Sequence, residues 1–127
     1  MNHPDAPVLD ALRGRPVLLV FAPSDRDPAF EEQQQQFEAG SDALAARGIV
    51  RGHVLLQGTG RLGEEKVTAE DGEALRRHYD VPGDAFCVLL VGPGGAARWR
   101  RTSPVKVQAA LDALTDAAEE PLDPEST

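Results

Sequence analysis

Blocks of apolar and polar residues succeed one another along the chain, and their period changes from block to block. Val17 to Phe21 is continuously apolar, the pattern of a strand covered on both faces. Ala22-Pro23 leads into a polar turn, Ser24-Asp25-Arg26-Asp27, and a helical pattern follows. Phe30, Phe37 and Leu44 recur every seven residues and so share one helix face. Asp27 supplies a cap for free backbone N–H groups, and Pro28 suits the first helical position, where no N–H partner is needed. The pattern predicts a helix to about Arg47 with a stop at Gly48, bent or split by Gly40-Ser41. Gln33 to Gln36 fall mostly off the apolar face and read as a solvated strip.

Ile49 to Gln57 is a second strand, with its alternation weakened by Gly52. Gly58 to Lys66 holds three glycines and reads as a loop. Thr68 caps a helix to about Tyr79, with Glu70 and Asp71 in the first turn, where the helix dipole favours acids. Val81-Pro82-Gly83-Asp84 is a turn, and Phe86 to Val91 is the most apolar run, a central strand. The tight-turn signal Gly92-Pro93-Gly94-Gly95 makes Ala96 to Arg101 its hairpin partner. Ser103-Pro104 repeats the cap-then-proline signature for a last helix to about Ala118, with Val107, Leu111 and Leu114 on its buried face.

The order is β-α-β-α-β-β-α. It predicts an α/β domain with a mixed four-stranded sheet and helices on both faces. The first βαβ is parallel with a right-handed crossover, and the final hairpin is antiparallel. The domain is expected over 15–118. Before it lies a lead, 1–14, with one helical turn at Val8 to Leu12. After it comes an acidic, solvated tail, 119–127.

Composition narrows the function classes. With 127 residues the chain is one domain, and at 5% aromatic residues its core must rest on Val, Leu and Ala. A net charge of −8 repels phosphate backbones and anionic headgroups, so neither nucleic acid nor membrane is expected as a partner. The one cysteine, Cys87, allows no intrachain disulfide and no cysteine-based zinc site. Val17 to Ala22 is too short for a membrane span or a signal core, so the cytoplasm is the expected compartment. His3, His53 and His78 are scattered, and no metal or cofactor is expected. Gly58-Thr59-Gly60-Arg61-Leu62-Gly63 has a dinucleotide-like spacing, but the next helix starts only at Thr68, so it reads as a connector.

Three segments resemble the thioredoxin-like superfamily: Val17 to Pro23, Tyr79-Asp80-Val81, and Val88 to Gly95. More narrowly, the chain resembles small bacterial thioredoxin-like domains with no assigned function that lack the CxxC motif. Leu111-Asp112-Ala113-Leu114 is similar to the start of their closing motif, whose Met-Pro-Met-Arg continuation is replaced by Thr115-Asp116-Ala117-Ala118. The resemblance implies a thioredoxin-like fold, with redox cysteines where Ser24 to Asp27 stand. It also implies a cis proline just before the third strand, where Ala85-Phe86 stand. Without either feature, dithiol–disulfide exchange is not expected.

The candidate site residues are Ser24, Asp25, Arg26 and Asp27 at the helix start, and Arg98 and Arg100 on the last strand. A helix N-terminus attracts anions, but Ser and Asp there also serve as turn and cap residues. Arg98-Trp99-Arg100-Arg101 is a docking strip for an acidic partner, or else charge protection of a sheet edge with Trp99 packed under a helix. Cys87, inside an apolar strand, reads as an inert core residue. A peroxidatic cysteine is expected at the strand–helix turn, which has none. The leading expectation is a non-catalytic, non-redox module binding an unknown protein or small molecule. The alternatives are a thiol-independent or glutathione-dependent enzyme using Ser24, a peroxidase using Cys87, or a structural homodimer joined through the edge strand.

Overall fold

The computed structural model describes residues 14–119 apart from 59, 64, 93 and 95, with the backbone alone for 114–119. The lead at 1–13, the tail from 120 and the side chain of Leu114 lie outside the described residues.

Among the described residues ten elements follow in order: β1 (Val17–Ser24), α1 (Pro28–Ala39), α2 (Ser41–Ala46), β2 (Val50–Gln57), β3 (Gly60–Leu62), β4 (Glu65–Val67), α3 (Ala69–Tyr79), β5 (Cys87–Val91), β6 (Ala97–Arg101) and α4 (Val107–Glu119). They build an α/β fold around one sheet in the order β4-β3-β2-β1-β5-β6. Strand β1 pairs parallel with β2 and antiparallel with β5. The β5–β6 hairpin is antiparallel, with a bulge at Leu90/Val91.

The sheet has six strands rather than the expected four. The extra pair is the β3–β4 hairpin, within the stretch whose glycines suggested a loop. Each of its strands is three residues long, too short for a period to be visible. What holds it is the burial of Leu62 and Val67, while Arg61, Glu65 and Lys66 face solvent. Gly60 is needed there because a Cβ would fall 2.5 Å from the carbonyl oxygen of His53.

Alternation along β1 feeds two cores. Val17, Leu19 and Phe21 join Val54, Leu62, Leu75, Tyr79, Val81 and Cys87 on the α3 side. Leu18, Val20 and Ala22 join Phe30, Phe37, Leu44, Val107 and Leu111 under α1, α2 and α4. Helices therefore cover both faces, as the apolar run of β1 requires.

The helix starts follow their caps. The Asp27 carboxylate accepts from the Phe30 N–H at 3.2 Å, and the Thr68 hydroxyl from the Asp71 N–H at 3.1 Å. Gly40 splits the first helical stretch into α1 and α2, and any Cβ on it would meet Val107 at 2.6 Å. The last helix begins at Val107, three residues after the expected Pro104. The intervening Val105 is engaged elsewhere: its N–H donates to Gln33 Oε1 and its carbonyl accepts from Gln33 Nε2, both at 2.7 Å. Gln33 is thus fully buried rather than part of a solvated strip. This amide clamp ties α1 to the β6–α4 connection.

Replacing Gln33 with Leu strands both backbone groups of Val105. The expected loss is about 2–4 kcal/mol in urea unfolding, since each buried polar group left unpaired costs about 1–3 kcal/mol.

Candidate functional site

The turn after β1 is occupied by its own hydrogen bonds. Ser24 Oγ accepts from the Arg26 N–H at 3.2 Å, and the Ser24 carbonyl accepts from the Asp27 N–H at 3.3 Å. Asp27 caps α1 through Phe30. Asp25 and Arg26 are exposed at the tip. The chain forms this turn because Ser and Asp bond their neighbours' backbone and Pro28 opens the helix.

The basic strip lies elsewhere. Trp99 is half-buried and packs against the core on the α4 side, and the Arg101 guanidinium stacks over its ring at 4.5 Å from the centroid. Arg100 reaches across to the end of α3, where it donates to the carbonyls of Asp80, at 3.3 Å, and Tyr79. These are carbonyls a helix C-terminus leaves without partners. Arg98, at the bulge, lies against Gly92, on which a Cβ would fall 2.9 Å from Arg98 Nε. Arg100 stands opposite Leu89, and Leu89 opposite Leu19. That is five residues before Ser24, roughly 16 Å along the strand. The turn and the strip are separate places.

Cys87 opens β5, opposite Phe21, and is 2% exposed in the α3-side core. Burial pushes its thiol up from the ordinary value, and the positive charge of Arg100 partly offsets this. Cys87 and Leu89 point to the same face of β5, and Arg100 pairs with Leu89, which puts the cation diagonally across from the sulfur. Tyr79 shares this core, and burial pushes its phenol up to about 12.

Among the described residues, no three His, Cys, Asp or Glu side chains gather as a metal site would require. No described helix is long and apolar enough to cross a membrane.

One residue escaped the sequence reading. Arg76, near the end of the helix that Thr68 starts, is 8% exposed and packed inward on α3. Its spacing from Leu75 and Tyr79 on the apolar face, and from Gly72 one turn earlier, was the available signal.

Two measurements check this electrostatic picture. The Tyr79 phenol titrates near 10 when unfolded and near 12 when folded, so the unfolded chain sheds its proton first as pH rises. The stability from keeping Tyr79 neutral is complete below pH 10 and lost towards pH 12. Chemical denaturation across this range is expected to show a fall of about 2–3 kcal/mol from Tyr79. Tyr79→Phe flattens it, leaving the earlier loss due to Cys87, whose raised thiol acts with the same sign. Asp27→Ala is expected to cost about 1 kcal/mol as a lost cap.

Comparison with solved structures places the fold. A cysteine-to-serine mutant of peroxiredoxin Q from Xanthomonas campestris matches at 20% identity and TM-score 0.61, covering 87% of this chain and 82% of that one. The bacterioferritin comigratory protein of the same organism, described for its alkyl peroxide reduction activity, matches with the same values. Reduced 2-Cys peroxiredoxin from Plasmodium vivax matches at 14% identity and TM-score 0.63, covering 88% of this chain and 85% of that one. The fold is thioredoxin-like, of the kind found in peroxiredoxins. No curated protein matches the sequence.

These likenesses overturn the expectation of a non-catalytic, non-redox binding module. That expectation rested on the missing CxxC, which excludes dithiol exchange. Peroxide reduction begins at a single thiol, so the missing pair does not speak against it. A family model described as "Domain of unknown function (DUF4174)" matches residues 9–118, most of the chain, and the protein belongs to that family.

Proposed function

We propose that this protein reduces hydroperoxides through Cys87, its one thiol. The observation that supports the reading most is the likeness of its backbone to peroxiredoxins over nearly nine-tenths of the chain. In this reading the protein is a bacterial, cytoplasmic thioredoxin-like domain without CxxC, and the redox thiol lies on β5 rather than at the β1–α1 turn.

The resting site holds the thiol protonated, because burial disfavours the thiolate. Cys87 is the first residue of β5 and follows the irregular segment 81–86, where the Ala85 N–H donates to the Pro82 carbonyl at 3.2 Å. Displacement of that segment hydrates the sulfur, and Arg100 then favours its anion. The thiolate attacks one peroxide oxygen, an S–O bond forms and the O–O bond breaks. The leaving alkoxide takes a proton, giving an alcohol and the sulfenic acid of Cys87. An external thiol condenses with the sulfenic acid, releasing water and leaving a mixed disulfide. A second external thiol displaces Cys87, giving the small disulfide and the starting thiol. Of the residues put forward from sequence, Arg100 enters this reading.

The test is consumption of hydrogen peroxide and cumene hydroperoxide with glutathione as reductant, alongside dimedone trapping read by mass spectrometry. The expected result is a single dimedone adduct at Cys87 and turnover that falls to background in Cys87→Ser. The rate is expected to keep rising with pH above the ordinary thiol range, because the folded thiol is pushed up. Equal peroxide consumption by both proteins, or no adduct at Cys87 under excess peroxide, overturns the proposal.

A further inference from the structure

The end of α3 is closed by a turn that a glycine ordinarily serves. The Val81 N–H donates to the Arg76 carbonyl at 2.9 Å, and the Asp80 N–H to the Arg77 carbonyl at 3.4 Å. These are the paired bonds of a helix stop built on a left-handed residue. Here that residue is Asp80, at φ 59° and ψ 52°. It is the one non-glycine residue with positive φ among the described residues. A side chain at that φ is strained, and such a conformation persists where its surroundings hold it.

A distant strand supplies that hold. The guanidinium of Arg100, on the edge strand β6, donates to the carbonyls of Tyr79 and Asp80, one before and one after the strained Cα. Bonds from a charged donor are about twice as strong as neutral ones. Immediately beyond lies segment 81–86, which leads into Cys87. Val81 is buried in the same core as Tyr79 and Cys87, whereas Pro82 and Asp84 are exposed. The charge that acts on the Cys87 thiol is that of the same Arg100. Of the other groups on this side, α3 turns Arg76 and Tyr79 inward, β1 and β2 present Phe21 and Val54, and Asp80 and Asp84 are exposed. The Tyr79 phenol, pushed up to about 12, stays neutral where a thiol ionises.

We propose that Arg100 is a latch on Cys87: bonded to the Tyr79 and Asp80 carbonyls it keeps segment 81–86 in place and the sulfur buried, and once those bonds part the same side chain serves as the cation for the exposed thiolate. Uncovering the sulfur and freeing the charge are then one event. Asp80 is the hinge, strained while the latch is closed and relieved when it opens. The latch regulates the thiol of the proposed function and rests on that reading for its purpose. Its own content is the exposure of Cys87, which is tested without peroxide.

The experiment uses the full chain and two readouts. Amide hydrogen exchange at Val81 and Ala85, followed by NMR, reports opening of the segment. Alkylation of Cys87 by iodoacetamide at the same pH, followed by mass spectrometry, reports opening together with ionisation. Both are run at rising, sub-denaturing urea, because a local opening depends little on urea and global unfolding depends on it steeply. Arg100→Gln is expected to speed exchange at both amides by about tenfold or more, as charged hydrogen bonds are lost. Its alkylation is expected to rise by clearly less, because the cation goes with the latch. Arg100→Lys keeps the charge without the fork, so its alkylation is expected to rise in step with its exchange. Asp80→Gly relieves the closed state and is expected to slow both readouts together, by about fivefold. That variant carries the test if Arg100→Gln does not fold. Unchanged exchange in Arg100→Gln overturns the latch, and equal rises in its two readouts overturn the second role of Arg100. Faster readouts in Asp80→Gly, or wild-type alkylation that follows global unfolding across urea, overturn the proposal as well. Peroxide turnover enters none of these readouts, so an inactive protein with the expected rates bears out the latch while the proposed function fails.

Discussion

Strand β1 is hydrogen-bonded along both edges and covered on both faces, and each other element takes its place from that. Its parallel pairing with β2 forces a crossover, which α1 and α2 supply on one face. Its antiparallel pairing with β5 sets Cys87 opposite Phe21 and Leu89 opposite Leu19. Because successive side chains point to opposite faces, a one-residue slip of this strand would exchange the two cores. Alternate residues of Val17 to Ala22 are fully committed to one core or the other, so the register admits no such slip.

That constraint explains which parts of the fold were legible in the sequence. Val17 to Phe21 and Phe86 to Val91 could only be buried strands, and Asp27-Pro28 and Thr68 could only start helices where they do. These signals are local, and the structure keeps them. The β3–β4 hairpin was missed because Leu62 and Val67 acquire their meaning only when laid beside β2 and α3. Gln33 was misread for a related reason. Its partner, Val105, is 72 residues away, and no helical period marks a glutamine as the clamp of a distant backbone. The same clamp moved the start of α4, since the backbone of Val105 is spent on the amide.

The site was legible to a lesser degree. Ser24 to Asp27 attracted attention because the resemblance puts redox chemistry there, yet their hydrogen bonds serve turn and cap. Arg98 and Arg100 were put forward together on the basic strip of the last strand. The bulge at Leu90/Val91 breaks the alternation between them, and Arg100 closes the end of α3. What placed Arg100 near Cys87 was the pairing of β5 with β6, which sequence pattern supplied, combined with the reach of the guanidinium, which it did not.

The two faces of β1 differ in how their polar groups are resolved. On the α1 and α4 side, the one buried polar side chain among the described residues is Gln33, and both ends of its amide are matched by Val105. On the α3 side lie a thiol and a phenol, both held neutral by burial, and a guanidinium with an unmatched donor. A closed hydrogen-bond pair adds to stability and leaves nothing over for a ligand. An unmatched donor and a protonated thiol lower stability or sit idle unless something else engages them. Native proteins tolerate such groups where chemistry or binding repays them. The face under α3 is therefore where the proposed thiol lies and where, among the described residues, a buried donor is left unmatched.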